Sequence, residues 1–136
     1  MANREIESLA DALRKHVKAL TLDIGPRTPF LGDSLARAAA YIQSIFEDAR
    51  LCVTEQAYQY YGQRVTNVIG TPPATTGASA YYVVGAHYDT VPTTPGADDN
   101  ASSVAVMLEL ARRLPETKLK APVLFAALRL RSRQPS

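Results

Sequence analysis

The chain has 136 residues, 46% of them hydrophobic and 21% charged, with a formal net charge of +2 and a single cysteine. Those totals fit one small globular domain. They exclude a disordered segment, a second domain, a disulfide framework and the concentrated charge that nucleic-acid or membrane-surface binding needs.

No apolar run reaches the ~18 residues that cross a bilayer. The acid-bearing start Met1–Glu7 lacks the apolar core of a secretory signal, so a soluble, cytoplasmic protein is expected. Ile6, Leu9, Ala10, Leu13, Val17 and Leu20 recur at three and four residues and predict an amphipathic helix. His16 stands beside Lys15 and Lys18 and reads as a solvated surface histidine. Gly25-Pro26 and Thr28-Pro29 break the chain. Asp33 or Ser34 then caps a second helix, whose stripe is Leu35, Ala38, Ala39, Ile42, Ile45, Phe46 and Ala49. Leu51–Tyr61 is rich in Val, Thr and Tyr and predicts a strand, with Cys52 as a small buried thiol. Gly62-Gln63 turns into a second strand, Arg64–Ile69, and Thr71–Ser79 is a Pro/Thr/Gly loop. The apolar run Ala80–Ala86 predicts a strand buried on both faces. Ala101, Val104, Ala105, Leu108 and Ala111 form a third helical stripe, closed by Arg112 and Arg113 at its negative end. Pro122–Leu128 is a further strand. This order ends in a βαβ unit. It predicts one α/β domain over residues 1–136, with a mixed, partly parallel sheet flanked by helices.

Between the third strand and the third helix lie Gly85-Ala86-His87-Tyr88-Asp89-Thr90 and Pro95-Gly96-Ala97-Asp98-Asp99-Asn100. The segment concentrates one imidazole and three carboxylates, a donor mix suited to zinc and harder dications. His87, past the end of a buried strand, and Asp99, at a helix start, belong to the same rim of the sheet. Taken singly, a histidine after a strand is a loop residue and Asp-Asp-Asn is a helix cap. The two patterns together are far more specific.

Extended to Val91 and Ser102, these segments resemble the signature of the co-catalytic di-zinc aminopeptidases. This metallopeptidase family, the twenty-eighth, includes bacterial leucyl aminopeptidases and the glutamate carboxypeptidase type. The resemblance takes in residues 20–128, including Arg64–Gly70 and the helix ending at Leu114. It implies a partial three-layer sandwich of the zinc-peptidase kind, incomplete at its C-terminus, and a peptide substrate. It also implies His87 as a ligand of one zinc, Asp99 as the carboxylate bridging two, and Asp89 as the outer carboxylate that orients His87.

The family pattern then stops. A Glu-Glu pair, one general base and one zinc ligand, is expected soon after the last strand. Here Leu128-Arg129-Leu130-Arg131-Ser132-Arg133-Gln134-Pro135-Ser136 follows, and no acid lies beyond Glu116. Residues 129–136 read as a non-native tail, truncated or frameshifted near residue 128. One legitimate encoding of Leu128–Ser136, given one extra base inside codon 128, reads Phe-Ala-Ala-Glu-Glu-Pro-Pro-Ala-Phe. On this reading the general-base Glu is absent, zinc binding is weak or missing, and the fragment is inactive as a peptidase. The Pro122–Leu128 strand is also expected to present an exposed apolar edge. Two alternatives stay open: a non-catalytic interaction module on the same fold, and a glutaminyl-cyclase-like single-zinc acyltransferase. The Asp98-Asp99-Asn100 run sides with the two-metal peptidases.

Overall fold

The computed structural model describes residues 2–73, 78–114 and 119–130. Residues 74–77 of the Pro/Thr/Gly loop and 131–136 of the basic tail lie outside the described residues. In chain order the elements are α1 (Ala2–Lys18), a π turn (Ala19–Ile24), α2 (Ser34–Asp48), β1 (Cys52–Tyr60), β2 (Gln63–Thr71), β3 (Tyr82–His87), a second π turn (Ala97–Ala101), α3 (Ser102–Arg113) and β4 (Val123–Leu128).

The strands form one mixed sheet in the order β1-β2-β4-β3. β1 and β2 make an antiparallel hairpin in which Tyr60 pairs with Gln63. Its two-residue loop, Tyr61-Gly62, has φ of 47° and 75°, as a type I′ turn requires. β4 runs antiparallel to β2 and parallel to β3, so β3-α3-β4 is the expected βαβ unit. α2 and α3 pack against the sheet around Ile42, Phe46, Val68, Val104, Leu108 and Phe125, all buried in one cluster. The Phe46 and Phe125 rings lie 6.2 Å apart. Gly70 leaves room for that packing: a Cβ there would lie 2.9 Å from Leu51 Cδ1 and 3.0 Å from Phe46 Cδ2. Gly70→Ala is therefore expected to destabilise the fold by roughly 1–3 kcal/mol through overpacking, as read by urea denaturation.

Several expectations are corrected. β3 is not buried on both faces: Tyr82 and Val83 are 58% and 59% exposed, because β3 is an edge of the described sheet. β4, expected to present a bare edge, is instead paired on both sides. Cys52 is exposed, since it opens β1, the other edge strand, most of whose side chains face solvent. The Asp33 side chain does not cap α2. Ser34 is drawn into the preceding loop instead, where its hydroxyl donates to Thr28 O and accepts from Thr28 N–H, each at 3.3 Å.

The largest correction concerns His16, which is 2% exposed. Its Nδ1 lies 2.6 Å from Tyr41 Oη and its Nε2 2.7 Å from Glu109 Oε2. Glu109, itself buried, also accepts from Arg112 Nη1 at 2.9 Å and Arg113 Nε at 3.3 Å. One polar clamp thus joins α1, α2 and α3 inside the helical layer.

Candidate metal site

His87 is the last residue of β3 and pairs with Leu128, so the sheet itself carries its ring to the rim. Its Nε2 lies 3.1 Å from Asp99 Oδ1 and its Nδ1 lies 3.3 Å from Asp89 Oδ1. The structure thus brings all three sequence-predicted site residues together. Their surroundings differ: the Asp89 side chain is 8% exposed, His87 25% and Asp99 83%.

The same Asp89 Oδ1 also accepts the Leu130 N–H at 3.2 Å. Burial pushes the Asp89 carboxyl above its ordinary range, against the opposing pull of that N–H and of His87 and Arg129. The adjacent Tyr88 is buried and donates to Thr66 O at 2.6 Å. Burial raises the Tyr88 phenol to about 12, so it is a neutral anchor beneath the site.

Asp99 does not cap α3. Its backbone (φ −117°, ψ 85°) leaves the helical region inside the second π turn, and the Asp99–Asn100 peptide is cis. The turn closes through Ala101 N–H to Gly96 O at 2.9 Å, and the Ser102 hydroxyl donates to Asp98 O at 3.0 Å. This bend sets the Asp99 carboxylate beside His87 rather than over the helix end.

The donor set fits the first two ligands of a zinc ion. A tetrahedral zinc at ~2.0–2.2 Å from each atom would hold them ~3.4 Å apart, near the separation seen. The other imidazole nitrogen, Nδ1, hydrogen-bonds the Asp89 backbone carbonyl at 3.2 Å with the Asp89 carboxylate at 3.3 Å, both usual outer partners of a ligating histidine. Among the described residues, no group of three or more His, Cys, Asp or Glu could hold a metal ion.

Two residues beside the site carry no motif in the sequence. Arg27 is fully buried, and its guanidinium makes five hydrogen bonds to backbone carbonyls: Leu20 O (2.8 Å), Gly25 O (3.0 Å), Tyr88 O (2.7 Å), Pro95 O (2.7 Å) and Gly96 O (3.2 Å). Burial lowers its pKa to about 10, with Asp89 acting in the opposite direction, so it stays charged at neutral pH. Arg129 is 4% exposed and its guanidinium stacks 3.7 Å over the Tyr60 ring. Its backbone is fixed by Tyr58 Oη donating to its carbonyl at 2.8 Å and by its N–H donating to Asn67 Oδ1 at 2.9 Å. Burial opposes its charge, but hydrogen bonding to the Tyr58 and Tyr60 side chains and the nearby Asp89 outweigh burial and raise its pKa.

The model of Peptidase family M28 matches residues 67–129, the stretch that holds His87, Asp89 and Asp99. The uncharacterized protein YfbL of Escherichia coli is 36% identical over 125 residues. Over residues 67–129 the chain is similar to peptidase family M28. A probable zinc metalloprotease of Leptosphaeria maculans is 28% identical over 107 residues. Those alignments take in 86% and 73% of this chain, but 38% of YfbL and 23% of the fungal protein. Among solved structures, a leucine aminopeptidase precursor from Bacteroides thetaiotaomicron superimposes with a TM-score of 0.74 at 26% identity, over 88% of this chain and 46% of its own. The glutaminyl cyclase of Porphyromonas gingivalis gives 0.75 at 28% identity, over 88% and 45%. The chain thus spans less than half the length of each of these four proteins. No described helix is long and apolar enough to cross a membrane.

Proposed function

We propose that this chain supplies the N-terminal metal-binding part of a zinc-dependent exopeptidase of the aminopeptidase type, acting on peptides. His87 and Asp99 are its zinc ligands, and Asp89 orients His87. The observation that carries this reading is the convergence of His87 Nε2 and Asp99 Oδ1 at 3.1 Å, with Nδ1 turned to Asp89. Zinc in such a site supplies Lewis acidity and a water acidic enough to serve as nucleophile near neutral pH. The residues of this chain bind and orient; Asp89 keeps the ring in the tautomer that leaves Nε2 free for metal.

Two ligands fall short of the about three protein ligands that each zinc takes, and no described carboxylate stands at the site as a general base beyond those assigned. The chain alone is therefore expected not to hydrolyse leucine p-nitroanilide, with or without added zinc. We read residues 129–136 as a shifted frame standing where the family places its acid pair. The absence of any acid from Leu128 to Ser136, where the family pattern expects a Glu-Glu pair, supports that reading. Sequencing the gene across codon 128 tests it: one restored base should open a frame that encodes Glu-Glu and later Asp and His residues. A gene without such a frame removes the idea.

The protein expressed from the restored frame should hydrolyse the anilide, lose that activity to a chelator and carry two zinc ions. A folded, zinc-loaded protein without hydrolysis would overturn the exopeptidase reading. The equally close match to a glutaminyl cyclase supports a second reading, a single-zinc acyltransferase. One zinc per chain and cyclisation of N-terminal glutamine would decide for it.

A further inference from the structure

We propose that Arg27 is the positioning residue of the metal site, and that it couples metal occupancy to the order of the segment joining α1 to α2. The proposal rests on the reading of His87 and Asp99 as metal ligands.

The two ligands come from separate limbs of the chain. Tyr88 lies between His87 and Asp89 on one limb, and Pro95-Gly96 leads into the turn that carries Asp99 on the other. The Arg27 guanidinium bonds the carbonyls of Tyr88, Pro95 and Gly96, and so spans both limbs from beneath. Its remaining bonds, to Leu20 O and Gly25 O, reach the π turn that ends α1. The backbone adds a two-way clasp: Arg27 N–H donates to Thr90 Oγ1 and Thr90 N–H donates to Arg27 O, both at 2.9 Å. Arg27 touches neither ligand side chain in these bonds, so its role is to hold the limbs in place. A binding constellation tolerates only ~0.5 Å of displacement, and a planar five-donor group holding three segments can impose that limit.

Gly96 shows how closely the turn is set on this cation. Its φ is 63°, and a Cβ there would collide with Thr90 Cγ2, would lie 2.6 Å from Asp99 O and would lie 3.1 Å from Arg27 Nη2. Only a residue without a side chain lets the Asp99 limb settle on Arg27.

Coupling of this kind is reciprocal. Zinc at His87 and Asp99 should tighten the bonds that Arg27 organises, including Gly25 N–H to Leu20 O and Thr90 N–H to Arg27 O. The experiment is a zinc titration of the isotopically labelled chain, followed at the His87 imidazole, with hydrogen exchange measured at the Gly25 and Thr90 amides. In the wild type, zinc is expected to slow exchange at both amides about tenfold or more. Arg27→Lys keeps the charge and loses the fork; its zinc midpoint is expected to rise about 10- to 100-fold, the range seen for outer-shell partners. Its amides should no longer respond to zinc. Thr90→Val, which removes the hydroxyl that accepts the Arg27 N–H and leaves both ligands in place, should act in the same direction, and it carries the test if Arg27→Lys does not fold. Folded variants with wild-type zinc midpoints overturn the role of Arg27. A wild-type chain whose His87 never responds to zinc overturns instead the metal reading on which the role rests.

Discussion

A Glu109→Ala variant is expected to lose roughly 3–5 kcal/mol of unfolding free energy at pH 7, as measured by urea denaturation. The carboxylate is buried and is the common acceptor for His16, Arg112 and Arg113. Removing it leaves the buried His16 Nε2 without its acceptor and facing the Arg112 and Arg113 cations, and that unpaired desolvation dominates the cost. Replacing His16 and Glu109 together with Leu should recover part of the loss, since only Tyr41 Oη and the half-exposed Arg112 and Arg113 then lose a partner. A double variant as unstable as the single one would show that the loss comes from volume and not from polarity.

The clamp also has a pH signature. Burial alone would raise the Glu109 pKa, but the hydrogen bonds from His16 and Arg112, with their charges, outweigh it and hold the value below the ordinary 4.5. A depressed folded pKa means stability that is present above the unfolded value and lost as pH falls through the folded one. The stability gap between wild type and Glu109→Gln should therefore be widest near neutrality and close as pH drops below about 4.5.

In the protein expressed from the restored frame, His87→Ala is expected to abolish saturable zinc uptake, measured by metal content after equilibrium dialysis, without loss of fold. The ring is a quarter exposed, at the end of a strand, so its removal leaves little cavity. Asp89→Asn should weaken uptake about 10- to 100-fold, because it keeps the shape but withdraws the charge that orients the imidazole. Uptake unchanged in His87→Ala would place the metal elsewhere on the chain.

Much of this architecture can be read from residue spacing. The single stripe Leu35-Ala38-Ile42-Phe46 admits one buried face, and α2 follows it. The β3-α3-β4 crossover follows from two apolar runs flanking a helical one, and it alone brings the His87 and Asp99 limbs to one rim. His16 was misleading because Lys15 and Lys18 flank it, yet it stands three residues from Leu13 and four from Leu20, inside the apolar stripe. Its acid partner is 93 residues away, beyond the reach of local pattern. The apolar run of β3 looks alike whether the strand is central or at an edge; only its pairing with neighbouring strands tells which. Arg27 is invisible for a different reason. It binds carbonyls, which every residue has, so no partner type marks it in the sequence.

The most direct test of the shared-cation claim uses the fact that the chain has two histidines. Long-range proton–nitrogen spectra of the two imidazoles, recorded through a zinc titration, separate them. The His87 Nε2 signal should move and saturate while His16, enclosed by Tyr41 and Glu109, stays fixed, and Asp99→Asn should raise the midpoint about tenfold or more. A His87 signal indifferent to zinc, or one that saturates equally well without the Asp99 carboxylate, would contradict it.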